Sequence, residues 1–213
     1  MLPMFKSGKL QFASSTAMTL SKWDEFYDNF DYYKDKFLLR QQSVSNSAEV
    51  IRRLGVIAMN TPVEVDIYGH GNSTHAGGTR LVNGLGGSGD FERNGYLSIL
   101  HCPAARKTKQ DPTGISGIVP MCSHTDHTEH DIDVIVTDQG LADLRGLAPV
   151  PRARLIIEKC VHPSYKAQLT EYLEMSIKAT QPKGAGHEPH ILSKVFKMHT
   201  GLQEKGSMHL PSW

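Results

Sequence analysis

Aromatic residues recur at spacings of three and four near the start of the chain. Within residues 21–40, which contain no glycine or proline, these positions are Trp23, Phe26, Phe30, Tyr33 and Phe37. Because residues three and four apart share one face of a helix, the pattern predicts a single amphipathic helix with Ser21 as its N-cap. We interpret the aromatic stripe as core packing rather than as a cofactor site.

Four further segments have helical patterns. A short helix is expected after the polar run 43–47 and should end near Gly55, a residue that commonly terminates helices. Residues 141–161 predict short helical pieces, with a break marked by Pro149 and Pro151. Residues 164–179 form a clear amphipathic pattern, and one more short helix is expected near residues 192–203.

Alternating apolar and polar positions predict the strands. Val63, Val65 and Ile67 alternate with Glu64 and Asp66, which indicates a half-exposed strand that ends in a polar, glycine-rich turn. Other strand-like runs are residues 95–103, 114–127 and 131–140. Strands that alternate with helices predict an α/β layer architecture. Since no linker divides the chain, we expect one α/β domain with a helical C-terminal extension.

Composition and charge narrow the function classes. The 213 residues include 23 basic and 22 acidic side chains, for a net charge of +1, and no basic stripe suggests a nucleic-acid partner. No apolar run has the length of a membrane span, and the first residues match neither a signal peptide nor a transit peptide. Cys102, Cys122 and Cys160 are odd in number and widely spaced, which indicates buried thiols in a reducing compartment. We therefore expect a soluble intracellular protein without a nucleic-acid or membrane partner.

A histidine-rich run offers a first candidate for chemistry. His124, His127 and His130 recur every three residues, with acidic residues between them. On a helix such histidines could bind zinc. The run leads directly into a strand-like segment, however, where these side chains would diverge. We interpret it as a hydrogen-bonded polar loop and predict no metal site.

A glycine-rich loop offers a second candidate. Residues 83–94, "NGLGGSGDFERN", contain Gly84, Gly86, Gly87 and Gly89. Such a cluster forms either a tight turn or a place where a ligand approaches bare backbone N–H groups. A phosphate-binding P-loop is excluded because no Lys-Ser/Thr follows, and a dinucleotide-binding loop because these glycines are expected to precede a strand. A nucleophile elbow has a different spacing. The glycines alone leave turn and ligand site open.

Four stretches together resemble one family. They are "SNSAEVIRRLGVIAMNTPVEVDIYGHGNSTH", "NGLGGSGDFERNGYLSILHCP", "IVPMCSHTDHTEHDIDVIVTDQGLADLRGLAP" and "GHEPHIL". In order and content they resemble the acetyl-CoA hydrolase / succinyl-CoA:acetate CoA-transferase family, and are most similar to the C-terminal half of the fungal-type acetyl-CoA hydrolases. The resemblance extends from about residue 8 to about residue 206.

The resemblance implies a fold and a domain plan. The fold is a CoA-transferase-like (NagB/RpiA-like) layered sheet with flanking helices and a helical C-terminal extension. Residues 1–162 would form the C-terminal α/β domain of the family and residues 163–213 its helical extension, while the N-terminal domain of the family is absent.

The same resemblance implies an active site. In this family the backbone N–H that matches Gly87 and the side-chain amide that matches Asn46 form the oxyanion hole. Asn83, Gly87 and Lys107 match positions that contact CoA. The physical basis is sound, because attack on a thioester places negative charge on its carbonyl oxygen, and two preorganised donors stabilise that charge. A flexible lysine ammonium suits a CoA phosphate.

The glutamate nucleophile of the family has no match in this chain. That residue becomes a glutamyl-CoA thioester and lies, in family order, before the segment matched by residues 2–15. The expected function is therefore an acyl-CoA:carboxylate CoA-transferase or acetyl-CoA hydrolase of which this chain supplies half the site, and the chain alone is expected to be inactive. The alternative is an inactive truncated paralogue that acts as a CoA-binding or subunit-interaction module.

Substrates and setting follow from the resemblance alone. Coenzyme A is a substrate rather than a permanently bound cofactor, and the partners are an acyl-CoA and a small carboxylate, acetate or succinate. The full-length form is expected to be a homodimer in the mitochondrion or the cytoplasm. Hydrolysis and transfer stay open, because the same glutamate chemistry serves both.

Overall fold

A computed structural model describes residues 1–16, 22–109, 111–184 and 186–213. These residues form two compact units, Met1–Gly55 and Val56–Trp213. Both mix helices with short strands, so the α/β class is confirmed. The expected N-cap Ser21 lies outside the described residues.

The described residues of the first unit form seven short elements. They are α1 (Leu2–Lys6), β1 (Ala13–Ser15), α2 (Trp23–Asp28), α3 (Phe30–Tyr33), β2 (Phe37–Leu39), α4 (Gln42–Ser45) and α5 (Ala48–Leu54). Strands β1 and β2 pair in parallel. Helix α5 ends at Gly55, whose φ of 62° places it in the left-handed region that favours glycine, and this confirms the expected helix end.

The prediction of one helix over residues 21–40 is wrong. The helical turns separate at Asn29, where φ is −119° and ψ is 29°, and Phe37 begins strand β2. The pairing of Phe37 with Ala13 of β1 overrides the helical pattern of the sequence. The aromatic stripe nevertheless forms a core, because Phe26 and Tyr33 are buried with ring centroids 5.6 Å apart.

The second unit contains the larger set of elements. Its strands are β3 (Ile57–Asn60), β4 (Glu64–Asp66), β5 (Gly71–Asn72), β6 (His75–Ala76), β7 (Arg80–Leu81), β8 (Leu97–His101), β9 (Ala105–Arg106), β10 (Ile115–Ser116), β11 (Ile118–Val119), β12 (Val134–Thr137) and β13 (Gly140–Asp143). Its α-helices are α6 (Ser88–Asn94), α7 (Pro149–Cys160), α8 (Pro163–Thr180) and α9 (Lys197–Lys205). Two 3₁₀ turns span Glu129–Asp131 and Gln181–Lys183.

A four-stranded sheet organises this unit, in the order β13-β12-β8-β3. Strand β8 pairs in parallel with both β3 and β12, and β13 closes the edge in antiparallel orientation. Side chains of one face, such as Leu100 and Ile135, are fully buried in a core that includes Ile156 of α7 and Leu169 of α8.

A three-stranded sheet contains two buried carboxylates. Strand β4 lies between β11, which is parallel to it, and β5, which is antiparallel. All three residues of β4 are buried, including Glu64 and Asp66. The expectation of a half-exposed strand is therefore wrong, and both carboxylates need partners inside the protein.

The prolines of residues 141–161 start a helix and do not break one. Pro149 is the first residue of α7 and Pro151 the third, and a proline in the first turn removes no helical hydrogen bond. The preceding Leu141–Asp143 belong to strand β13. Helix α8 confirms the prediction for residues 164–179, and α9 begins later than expected, at Lys197.

All three cysteines are free and buried, as expected, and burial raises the pKa of Cys102 to about 12 and that of Cys160 to about 11. Thiols of this kind are unreactive near neutral pH. Among the described residues, no helix combines the length and the apolar character that a membrane crossing needs.

Candidate active site

The glycine-rich loop opens helix α6, which corrects the expectation that it only precedes a strand. Gly87 is the N-cap, with φ −94° and ψ 1°, and its carbonyl accepts a hydrogen bond from the Phe91 N–H at 3.0 Å. Gly86, directly before it, has φ 63°. Strand β8 begins only after the helix, at Leu97. The loop therefore presents the first turn of a helix.

The Gly87 N–H is available to a ligand. None of the described residues of its own unit accepts a hydrogen bond from it. The loop behind it is tied down, because the Ser88 hydroxyl donates to the Leu85 carbonyl at 3.0 Å. A free donor on a fixed backbone is the arrangement that oxyanion stabilisation requires.

His127 holds this loop in place. Its side chain is buried, and Nε2 lies 3.1 Å from the Ser88 Oγ and 3.0 Å from the Ser73 Oγ. Since the Ser88 proton is given to Leu85, the His127 Nε2–H is the donor in the contact with Ser88. Burial lowers the pKa of His127, so the ring is neutral near pH 7. Sequence reasoning gave His127 no such role.

The other two histidines of the run have separate partners. His124 Nε2 lies 3.3 Å from Asp126, and the exposed His130 lies 2.9 Å from Glu129. Asp126 also accepts from the Ser73 N–H at 2.7 Å. The run is thus the hydrogen-bonded polar loop expected from the sequence, and the absence of a metal site there stays a prediction.

Asn83 and Lys107, two of the sequence-predicted CoA contacts, both lie in the second unit. Asn83 is exposed, and its Nδ2 donates to the Ser73 carbonyl at 2.5 Å, which leaves its Oδ1 for a ligand. Lys107 is exposed directly after β9. The preceding Arg106 donates to the carbonyls of Pro62 and Val63.

Asn46 lies in the first unit, at the C-cap of α4. Its Oδ1 accepts a hydrogen bond from the Ser45 hydroxyl at 3.1 Å. Among the described residues of that unit, none accepts a hydrogen bond from its Nδ2 group. The side chain is half-buried, so its amide is a donor available to a ligand.

A cavity of about 450 Å³ lies beside Asn83 in the second unit. Arg106 lines it together with Asn83, and Glu64 and His199 form a buried part of its wall. The cavity brings together residues from β4, β9 and α9 that are far apart in the sequence. Sequence reasoning missed it, because no local pattern marks it.

Four hydrogen bonds hold the Glu64 carboxylate in the wall of this cavity. Its Oε1 accepts from Asn72 Nδ2 at 3.0 Å and from the N–H and hydroxyl of Ser123 at 2.8 and 2.7 Å. Its Oε2 accepts from His199 Nε2 at 2.9 Å. Burial alone would raise the pKa of Glu64, but the contacts with His199 and the other donors outweigh it and lower that pKa. Glu64 is therefore ionised at neutral pH.

A second group of titratable side chains surrounds His70. Its Nδ1 lies 3.0 Å from Asp66, and its Nε2 lies 2.9 Å from Glu129 and 3.9 Å from Glu188. Burial alone would lower the pKa of His70, but these carboxylates raise it to about 9. Ligand atoms of His70, Glu129 and Glu188 lie within 4.8 Å of one another, as in metal sites. A protonated imidazole offers no lone pair, so we interpret the group as an ion-paired cluster.

Comparison with solved structures identifies the type of fold. The fold is similar to that of a 4-hydroxybutyrate CoA-transferase from Porphyromonas gingivalis, with a TM-score of 0.61 and 22% identity over 82% of this chain and 42% of that chain. The chain therefore has a CoA-transferase-like α/β fold.

Sequence comparisons then define the family. The family model of the acetyl-CoA hydrolase/transferase C-terminal domain matches residues 23–173. The whole chain is 61% identical to an acetyl-CoA hydrolase of Candida albicans and 59% identical to one of Eremothecium gossypii, and covers 41% of each. The chain belongs to the acetyl-CoA hydrolase/transferase family and spans about two-fifths of the length of these relatives.

Proposed function

We propose that this chain supplies the oxyanion hole and part of the CoA site of an acyl-CoA:carboxylate CoA-transferase or acetyl-CoA hydrolase. The observation that carries the proposal is the Gly87 N–H, which has no acceptor among the described residues of its unit and sits on a loop fixed by His127. In the proposed reaction the CoA moves by way of a glutamyl-CoA thioester, and the glutamate comes from outside the segment present here.

The donors act on the charge that develops during the reaction. Attack of the glutamate carboxylate on the thioester carbonyl moves an electron pair onto the carbonyl oxygen. The Gly87 N–H and the Asn46 side-chain amide would donate to that oxygen, and each such donor contributes roughly 10²–10³ in rate. Asn83 and Lys107 would contact CoA, with the Lys107 ammonium pairing with a phosphate.

The finer parts of the assignment belong to the same proposal. The fold is assigned to the NagB/RpiA-like layered type, with residues 1–162 as the α/β domain and residues 163–213 as its helical extension. Acetate or succinate would be the acceptor in transfer and water in hydrolysis. The full-length protein would be a homodimer of the mitochondrion or the cytoplasm. A truncated, inactive paralogue that binds CoA or a subunit is the alternative.

Turnover measurements test the oxyanion assignment. We expect a full-length relative whose C-terminal part is replaced by this chain to turn over acetyl-CoA, and Asn46→Ala in that protein to lower kcat by roughly 10²–10³. Asn94→Ala is the matched control and should leave kcat unchanged, because among the described residues Asn94 donates only to the Asp90 carbonyl. Near-normal turnover of Asn46→Ala would show that Asn46 is a structural loop residue and that its assignment to the oxyanion hole is wrong.

Mass spectrometry tests the position of the nucleophile. The 213-residue chain alone is expected to have no turnover above background, and incubation with acetyl-CoA should leave no CoA thioester on any of its glutamates. A thioester on a glutamate of this chain would show that the nucleophile lies within it and would refute the assignment.

A further inference from the structure

Hydrogen bonds at both ends of the glycine-rich loop lead to the same residue, Ser73. At the first end of the loop, Asn83 Nδ2 donates to the Ser73 carbonyl at 2.5 Å. At the other end, Ser88 Oγ lies 3.1 Å from His127 Nε2, and that Nε2 lies 3.0 Å from the Ser73 Oγ. We call Ser73, His127 and Ser88 the loop clamp. Gly87 lies directly before the end that His127 holds.

The histidine-rich run supplies the fixed side of the loop clamp. The Asp126 side chain is 8% exposed and accepts from the Ser73 N–H at 2.7 Å and from the Thr74 hydroxyl at 2.8 Å. The backbone of His127 is paired as well, because its N–H donates to the Gly71 carbonyl at 3.0 Å and its carbonyl accepts from the Gly71 N–H at 2.9 Å. His127 is only 1% exposed. The ring therefore offers the loop a hydrogen-bond donor at a fixed point.

The loop itself has little that would keep it in one conformation. At Gly84 and Gly86 an added Cβ atom would have nothing within 4 Å among the described residues. Glycine loses more conformational freedom on ordering than any other residue, so a glycine-rich loop needs anchors from outside. The Ser88 hydroxyl anchors it by donating to the Leu85 carbonyl at 3.0 Å. The His127 proton polarises that hydroxyl and so strengthens the anchor.

We propose that His127, acting through Ser88, is a positioning residue that holds the Gly87 N–H where it stabilises the transition state. This inference rests on the proposed function of Gly87. An oxyanion donor accelerates a reaction when it is preorganised, because a donor that must first be ordered adds the lost entropy to the barrier. The bond from Asn83 to the Ser73 backbone carbonyl does not involve the His127 ring. Loss of the His127 donor should therefore lower kcat and leave KM nearly unchanged.

Turnover of a full-length relative whose C-terminal part is replaced by this chain tests the positioning role. His127→Leu removes the donor and Ser88→Ala removes its acceptor. Each should lower kcat roughly five- to tenfold, the size of effect that one hydrogen bond has on an equilibrium, and keep the KM for acetyl-CoA within about twofold. Because both variants break the same contact, their losses should not multiply in the double variant.

Two further variants separate the donor from the packing of the ring. His127→Gln keeps an amide N–H that can donate to Ser88, and it should recover at least half of the parent kcat. Ser164→Ala is the matched control, because it removes a hydroxyl that also contacts a histidine ring, that of His162 in α8's N-cap, at 2.7 Å. It should change neither kcat nor KM.

Nitrogen NMR relaxation of the 213-residue chain measures the order of the loop without any turnover. The Gly87 amide should have an order parameter of roughly 0.85, as in rigid backbone, in the parent, in His127→Gln and in Ser164→Ala. It should fall below roughly 0.6 in Ser88→Ala and in His127→Leu. The Phe91 amide, in the interior of α6, should keep its order and so show that each variant is folded. If His127→Leu does not fold, Ser88→Ala decides the test.

Four results would overturn the proposal. They are a parent-like kcat in Ser88→Ala, a rise in KM without a fall in kcat, an equal loss in His127→Gln and His127→Leu, and an unchanged order of Gly87 in Ser88→Ala. The proposed function fails separately. If Gly87→Ala keeps normal turnover while Ser88→Ala loosens the loop, the oxyanion assignment is wrong. If Gly87→Ala lowers kcat and Ser88→Ala does not, the oxyanion assignment stands and the positioning role of His127 is wrong.

Discussion

At the scale of single residues, three glycines of one loop have different backbone requirements. Gly86 has φ 63°, a backbone conformation that residues with a Cβ atom rarely adopt. Gly87 has φ −94°, and Gly84 has no positive φ and nothing within 4 Å of an added Cβ. Alanine substitutions along this loop can therefore separate stability from activity.

We expect Gly86→Ala to lower the free energy of unfolding by about 1–2 kcal/mol, because alanine is strained at positive φ. Gly84→Ala and Gly87→Ala should each change it by less than about 1 kcal/mol. In the full-length protein, Gly87→Ala should lower kcat, because a methyl group would intrude on the acyl group, and Gly84→Ala should not. Urea denaturation and turnover of the three variants check this, and equal kcat values for the Gly84 and Gly87 variants would reduce the loop to an ordinary turn.

The side chains that fix this loop show where sequence reasoning ends. The glycine cluster and its ligand-binding interpretation are visible in the sequence, and we expected only the loop backbone to act. The Ser88 hydroxyl, however, contacts His127, which lies 39 residues away. In the same way the partner of Glu64 is His199, 135 residues away. The alternation of apolar and polar residues predicts the strand that carries Glu64. The burial of Glu64 depends on its contact with His199, which no local sequence pattern reveals.

At the scale of elements, a buried carboxylate joins helix α6 to strand β3. Glu92 is 3% exposed, and its Oε1 accepts from Asn60 Nδ2 at 2.6 Å. Its Oε2 is buried and has no hydrogen-bond partner among the described residues. Burial raises the pKa of Glu92 to about 7, and the charges of Asp133 and Asp131 add to this effect.

This shift predicts how Glu92→Gln changes stability with pH. The pKa of Glu92 in the folded protein, about 7, lies above the ordinary value of 4.5. Below about pH 4.5 Glu92 is protonated in both the folded and the unfolded chain, and the folded protein has its full stability. As the pH rises through 7, Glu92 loses its proton and the folded protein loses that part of its stability. Glutamine keeps the contact with Asn60 and carries no charge. We therefore expect Glu92→Gln to be more stable than the parent at pH 8, by an amount on the order of 2–3 kcal/mol, and nearly equal to it at pH 4.

Thermal or urea denaturation at both pH values measures this effect. Glu171→Gln, at an exposed position on α8, is the control. It should change the free energy of unfolding by the same small amount at pH 4 and at pH 8. The same gain for Glu92→Gln at both pH values would contradict the raised pKa.

Secondary structure was predictable where the local pattern and the tertiary contacts agree. Helix α8 buries the face that its periodicity marks, and strands β8 and β12 lie within the runs predicted as strands. Residues 21–40 follow the predicted helical pattern only in part, because Phe37 belongs to strand β2 and pairs with β1. The prolines of α7 were misread because a proline breaks a helix in its interior and is compatible with its first turn.

At the scale of the molecule, the two units differ in the size of their cores. The second unit buries one large cluster, which includes Leu100, Ile135, Ile156 and Leu169. Among the described residues of the first unit, the apolar cluster consists of Phe5, Phe26 and Tyr33 with partly buried neighbours, and Ile51 is buried apart from it. Since burial of apolar surface is the main favourable contribution to folding, the two units should differ strongly in stability on their own.

We expect residues 56–213, produced alone, to fold with a single cooperative urea transition and a near-UV circular dichroism signal, because their large core lies within that unit. Residues 1–55 alone should show no cooperative transition. Burial of so small a core stabilises them by less than the conformational entropy that is lost on ordering, about 1–2 kcal/mol per residue for the backbone. Circular dichroism and urea titration of the two fragments check both expectations. If residues 56–213 instead bound a hydrophobic dye and lacked near-UV signal, their core would depend on residues 1–55, and the division at Gly55 would not be a folding boundary.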